Sequence, residues 1–146
     1  MVFRRITRAD RDIYLKMATD FYHSPAVLHS IPEKHILDTL ELVLNGTPFA
    51  DIYLFERAGE VLGYGVLAFT HSQEAGGLVC WLEEIYLCPE ARGQGIGGAF
   101  IAYICQNVPA ARFRLEVEPD NVRVRALYAR HGFLPMGYES YVLENC

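Results

Sequence analysis

The stretch LEEIYLCPEARGQGIGGAF, residues 82–100, runs from a strand-like segment through glycines at 93, 95, 97 and 98 into a helix-like one. Gly93, Gly95 and Gly98 satisfy GxGxxG, the dinucleotide fingerprint, and Glu116 and Glu118 lie about 20 residues on, where such a fold keeps its ribose-binding acid. Three observations oppose that reading. The residues CPEAR separate strand from glycines, whereas the fingerprint turns directly out of its strand. The chain beyond Gly95 is too short for the further parallel strands and helices of a doubly wound sheet, and the chain before it reads as hairpins. No GK[ST] follows, which excludes an ordinary P-loop. What survives is general: glycines where a helix begins let successive backbone N–H groups approach an anion, aided by the helix dipole and, here, by Arg92. The bland alternative is a tight strand-to-helix turn.

Upstream, residues 2–7 predict a short strand. Residues 10–23 predict a helix with Ile13, Met17 and Phe21 on its apolar stripe. A second helix follows Ser30 and Pro32, carries Ile36, Leu40 and Val43, and stops at Asn45-Gly46. DIYLFER (51–57) and VLGYGVLAF (61–69) flank Ala58-Gly59-Glu60 as a hairpin, and the polar loop THSQEAGG (70–77) leads to the strand LVCWLEEIYL (78–87). Downstream, Ile96, Phe100 and Ile104 mark a helix ended by Pro109. RFRLEVE (112–118) alternates as a strand, a short helix runs from Asp120 or Asn121 to Gly132, and GYESYVLE (137–144) predicts a final strand. The expected class is α/β in the broad sense, α+β in detail: a mixed, mostly antiparallel central sheet flanked by about four helices.

The 146 residues suit a single domain, 1–146, with 51% hydrophobic and 21% charged residues, an ordinary globular balance. A net charge of −5 opposes nonspecific nucleic-acid binding and is compatible with a cationic small substrate. No apolar run is long enough to span a bilayer and MVFRRITRAD lacks the apolar stretch of a signal peptide, so the expectation is a cytoplasmic protein without a membrane partner. Cys80, Cys88, Cys105 and Cys146 form no CxxC pair and no zinc spacing; reduced thiols and no metal are expected.

Together the residues of 82–100 resemble the core of the GNAT superfamily of acyl-CoA-dependent N-acetyltransferases, whose motif of Arg or Gln, two residues, Gly, any residue, Gly or Ala is met by Arg92, Gly95 and Gly97. NVRVRALYARHGF resembles that family's later helix, with Asn121, Ala126, Tyr128, Gly132 and Phe133 in the expected places. The order of strands and helices fits along nearly the whole chain. The resemblance implies a GNAT fold whose strands splay at an acetyl-CoA site, with acetyl-CoA as cosubstrate. The pyrophosphate would rest on Arg92, Gly93, Gln94, Gly95, Ile96, Gly97 and Gly98. The pantetheine arm would lie along Ile85, Tyr86 and Leu87 like an added strand and reach Asn121, which otherwise reads as a helix cap. The Leu87 amide would polarise the thioester carbonyl.

A primary amine of pKa about 10 is neutral in roughly one molecule per thousand at pH 7, a cost of about 4 kcal/mol, so a base is useful. Glu83 and Glu84 are adjacent on a strand that otherwise reads as buried. Alternation sends them to opposite faces and sets Glu83 beside Trp81, Ile85 and Leu87. The resemblance favours Glu83 as base, acting through water, with Glu84 as the supporting candidate; the alternatives are an acid paired with Arg112 or Arg114, or no dedicated base. Tyr128 shares a stripe with Val124 and Leu127 and reads as a structural tyrosine, whereas the resemblance makes it the hydrogen-bond donor to the leaving thiolate. Five histidines show no ligand spacing, and Cys88 lacks the partners of a nucleophilic thiol. Direct attack by the amine is expected, with a non-catalytic acyl-CoA-binding module as rival and a nicotinamide enzyme as a third reading. The acceptor, a small-molecule or peptide amine, is left open, as is a homodimer. Phe21, Tyr22 and Glu33 are candidates to line its pocket.

Overall fold

A computed structural model describes residues 1–145, in two compact units: Met1–Glu116 and the chain from Val117 onward. The first unit holds a five-stranded sheet in the order β1 (Val2–Arg5), β2 (Ala50–Arg57), β3 (Glu60–Ser72), β4 (Gly77–Leu87), β5 (Arg112–Leu115). The first four strands pair antiparallel, and only β4 and β5 run parallel. A doubly wound nucleotide-binding sheet is therefore absent from this unit, which removes the nicotinamide reading.

The β2–β3 hairpin closes through Ala58 and Gly59, both with positive φ (52° and 81°), the primed turn whose twist matches its strands. β3 and β4 run further than expected: the polar segment THSQEAGG contributes to both strands and leaves only residues 73–76 as a turn, ended by Gly76 at φ 80°. β5 is shorter than expected, because residues 116–118 find no ladder.

Helices α1 (Arg11–Tyr22) and α2 (Glu33–Leu44) pack on one face of the sheet, where Tyr14, Met17, Ala18, Ile36 and Leu40 join Ile52, Leu54, Tyr64, Val66 and Tyr86 in one buried cluster. The expected α1 stripe holds at Met17 and Phe21 and fails at Ile13, whose place in the core Tyr14 takes. Tyr14 is buried while Ile13 is 37% exposed, because the larger Tyr14 ring fills the space over Tyr64, 5.0 Å away edge to face. On the other face lies α3 (Ile96–Asn107), whose Phe100 ring sits 4.6 Å from that of Phe55, tilted by 44°. Gly65 makes this approach possible, since a Cβ there would sit 2.3 Å from the Phe100 ring. At the corner where β1 meets α1, Arg4 grips both oxygens of Asp10 at 2.9 Å and Glu56 at 2.7 Å.

The second unit holds α4 (Val122–Arg130), capped by Asn121, whose side chain accepts from the Val124 amide at 3.2 Å, and closed by Gly132 at φ 88°. The strand expected over residues 137–144 does not form. A strand exists only with a ladder partner; here the segment has none, and Tyr141, Val142 and Leu143 remain exposed. Cys80, Cys88 and Cys105 are free thiols, and Cys146 lies outside the described residues. No helix among the described residues is long and apolar enough to cross a membrane.

Candidate active site

β4 changes character halfway along. Val79 to Leu82 pair with Arg112 to Leu115 of β5, and there β5 ends, while β4 continues to Leu87 with β3 alone beside it. The splay that the resemblance implies falls at this one-sided stretch, residues 83–87, where the structure shows β5 ending. Its hydrogen-bonding sense follows from one bond and the register: Cys88 donates its amide to the Leu62 carbonyl at 2.8 Å, and narrow and wide pairs alternate along an antiparallel ladder. Tyr86 and Glu84 therefore direct their main-chain groups at β3, whereas those of Ile85 and Leu87 face the open side. Arg92 already uses this edge, donating from Nε to the Leu87 carbonyl at 2.9 Å. Of the three residues expected to meet the pantetheine arm, Ile85 and the amide of Leu87 face the open side and the main chain of Tyr86 does not. Tyr86 instead stacks on Tyr64, at 5.6 Å.

The register also slips here. Val66 faces Glu84 and Leu67 faces Leu82, so Glu83 is the extra residue of a β-bulge. The expected alternation is corrected accordingly: Trp81, Glu84 and Tyr86 stand opposite Ala68, Val66 and Tyr64 on the α1–α2 face, and Leu82, Ile85 and Leu87 belong to the α3 face. Trp81 and Ile85 thus do not share a face, because the bulge inserts an odd residue between them.

The two acids meet different surroundings. Glu83 is exposed as a residue, yet partial burial of its carboxyl pushes its pKa up, and the charge of Glu116 at the end of β5 adds to this. Neither arginine considered as its partner takes that role: Arg112 bonds Glu74 at 2.8 Å, and Arg114 lies over the Trp81 ring at 4.0 Å. Glu84 is half-buried; Tyr64 donates to its Oε1 at 2.8 Å and Tyr22 to its Oε2. Burial raises the Glu84 pKa, the two phenols oppose that, and Glu83 adds repulsion. Glu84 lines a cavity of about 250 Å³ with Tyr14, Tyr22, Ile31, His35, Ile36, Thr39 and Val66. Of the three pocket candidates, Tyr22 reaches this cavity and Phe21 and Glu33 do not line it. Phe21 packs edge-on against Tyr22, 5.0 Å away. Sequence reasoning missed Tyr14, Tyr64, His35 and Thr39. A phenol eight residues before Tyr22 on one helix, and a tyrosine between two strand glycines, were the available signals.

Past β4, a single 3-10 turn over Pro89–Ala91 leads to the glycine segment. Gly93 and Gly95 adopt φ of 76° and 78°, and Gly95 caps α3, which begins at Ile96. The amides of Ile96, Gly97 and Gly98 fall in the first turn, where a helix has no internal acceptors for them. A Cβ at Gly93, Gly95 or Gly97 would meet nothing within 4 Å. The positive φ of the first two therefore explains the glycines there, whereas no contact within the chain requires a glycine at 97. Gln94 is tethered, accepting from Arg57 at 2.9 Å and donating to the Glu90 carbonyl at 3.0 Å.

In the second unit, Tyr128 is half-buried on α4, with Val124 and Leu127 on the same stripe and the Phe133 ring 6.1 Å away, and burial pushes its phenol up. Asn121 serves as the helix cap. Among the described residues, no cluster of three His, Cys, Asp or Glu side chains is placed to hold a metal ion.

Thialysine N-epsilon-acetyltransferase of Mus musculus is 41% identical over 71 residues, covering 47% of this chain and 41% of that one. The chain spans about half the length of the curated relatives it matches. A possible acetyltransferase from Clostridium difficile 630 superposes with a TM-score of 0.83 at 17% identity, over 99% of this chain and 97% of that one. AAC(6')-Iy, solved with a bisubstrate analogue of CoA and acetylneamine, superposes with a TM-score of 0.81 at 15% identity, over 99% and 98%. These likenesses show the fold. The model of the acetyltransferase (GNAT) family matches residues 13–133, most of the length. A parallel pair in which β5 ends short of β4, a glycine-capped helix after it and that match agree: the chain belongs to the acetyltransferase (GNAT) family.

Proposed function

We propose that this protein transfers an acetyl group from acetyl-CoA to a primary amine by direct attack. The observation that carries the reading is the one-sided stretch of β4, whose Ile85 and Leu87 backbone is open where β5 ends, followed at once by the glycine-capped start of α3. In this reading the pyrophosphate is held by Arg92 and the amides of residues 93–98, Gly93, Gln94, Gly95, Ile96, Gly97 and Gly98, an anion site of open helix N–H groups and one cation. The pantetheine arm pairs with Ile85 and Leu87 as an added strand. The Leu87 N–H polarises the thioester carbonyl, and such a donor is worth about 3 kcal/mol in the transition state.

CoA leaves as a thiolate, which solvent protonates, as the amine nitrogen attacks the carbonyl carbon, the C–S bond breaks and the amine gives up one proton. Glu83, beside the open edge and with a raised pKa, takes that proton through water. Tyr128 donates a hydrogen bond to the departing sulfur; full proton transfer from a phenol to a thiolate would run uphill by about 2 kcal/mol. The mouse relative's name specifies a side-chain amine, in keeping with a primary amine acceptor.

Thiol release from acetyl-CoA across a panel of amines tests the reading. Turnover should depend on the amine and fall about tenfold or more in Tyr128→Phe, with KM for acetyl-CoA little changed. Tight CoA binding without turnover on any amine would mean a binding module instead.

A further inference from the structure

The cavity between α1, α2 and the middle of the sheet is built around a carboxylate that the chain does not neutralise. Each oxygen of Glu84 accepts one phenol, from Tyr22 and Tyr64, and a carboxylate has about four lone-pair positions, so acceptor capacity remains. Among the lining residues there is no lysine or arginine, and His35 supplies the one basic ring. Two tyrosine rings, Tyr14 and Tyr22, line the cavity with Glu84, side chains of the kind that attract a cation. The phenols fix the carboxylate in one orientation and leave the counter-charge to come from outside.

We propose that this cavity is an ammonium-holding subsite and that the acceptor is a short dibasic amine, one nitrogen held by Glu84 and the other presented to the thioester. The proposal rests on the acetyl-transfer reading and narrows its substrate class. Two nitrogens are needed for a chemical reason. A carboxylate beside an amine favours the protonated form, which has no lone pair to attack with, so the nitrogen held by Glu84 is not the one acetylated. The second nitrogen attacks the carbonyl carbon and gives up one proton, the C–S bond breaks, and CoA leaves as a thiolate, which solvent protonates. Size argues for a short chain: about 250 Å³ is roughly eight water volumes and falls below the ~300–1,000 Å³ of pockets that enclose drug-sized ligands. Thr39 and Ile36 on α2 and Tyr22 at the end of α1 set that limit.

The test is calorimetric titration of the full chain with cadaverine and with n-pentylamine, which share a carbon chain and differ by one ammonium group. Cadaverine should bind about tenfold or more tighter. Glu84→Gln should abolish that preference while acetyl-CoA affinity stays within about twofold. Thr39→Leu, which leaves Glu84 in place and fills the cavity, should weaken cadaverine binding. Equal affinity of the wild type for the two amines, survival of the preference in Glu84→Gln, or unchanged binding in Thr39→Leu would each overturn the subsite. Acetyl-CoA is titrated separately so that the two ideas can fail apart. Preference for cadaverine without acetyl-CoA binding keeps the subsite and removes acetyl transfer; acetyl-CoA binding without the preference does the reverse.

Discussion

Asp10 and Glu84 are both withdrawn from solvent in the first unit, and the chain treats them in opposite ways. Asp10, 8% exposed, has a guanidinium on both oxygens and the Thr7 amide and hydroxyl at 2.8 Å, which hold its pKa down at about 2. Glu84 has two neutral phenols and no cation, and burial raises its pKa. A carboxylate supplied with its own arginine ties elements together, as Asp10 ties β1 to the start of α1. One supplied only with hydrogen-bond donors is oriented without being neutralised, which is what a recognition site requires.

The largest expected effect concerns the acid next to Glu84. Glu83→Gln should lower kcat about a hundredfold with KM for acetyl-CoA little changed. Because burial and Glu116 raise the Glu83 pKa, the acidic limb of the wild-type pH–rate profile should lie above the ordinary carboxylate value and vanish in the variant. A Glu83→Gln enzyme with wild-type kcat would remove the base from the mechanism. Next in size, Asp10→Asn should cost about 2 kcal/mol at neutral pH by urea denaturation. The sign follows from a depressed folded pKa: the stabilisation is complete above the unfolded value of 3.8 and fades as pH falls towards about 2, so the variant's deficit should shrink across that window. Smallest, Glu84→Gln should shift stability by less than about 1 kcal/mol at neutral pH. Its folded pKa is raised, so the native carboxylate is the costlier form and acidification relieves it, opposite to Asp10. A loss in Glu84→Gln as large as that in Asp10→Asn would make Glu84 a structural acid and collapse the contrast.

Much of this was legible in the sequence, and the parts that were not share a cause. The glycine segment announces a helix start because Gly93, Gly95 and Gly97 leave few other uses for such a run, and the two early helices follow from period and stop signals. Asn121 as a cap and Gly132 as a terminator are local chemistry, read from neighbours in the chain. The start of the α1 stripe is not local: Tyr14 displaces Ile13 from the core because of Tyr64, fifty residues away. Nor is the pairing of Arg112 with Glu74 rather than Glu83, which the β4–β5 register decides. The alternating pattern of residues 137–144 is sound for a strand, yet pattern alone supplies no partner for the ladder. The phenols on Glu84 come from α1 and β3, and no spacing along β4 could reveal them.

The bulge at Glu83 bears on how such a site changes over time. Substituting either glutamate alters one side chain in place. Deleting Glu83 itself would remove the bulge and restore regular alternation, with Trp81, Glu84 and Tyr86 still on one face and Leu82, Ile85 and Leu87 on the other. What the bulge supplies is therefore a second acid beside Glu84 without turning the strand over on either side of it. β4 thus carries two adjacent carboxylates while Glu84 stays on the cavity and the backbone of Ile85 and Leu87 stays on the open side. At such a position one acid can be gained or lost in mid-strand while the side chains that face the cavity keep their places.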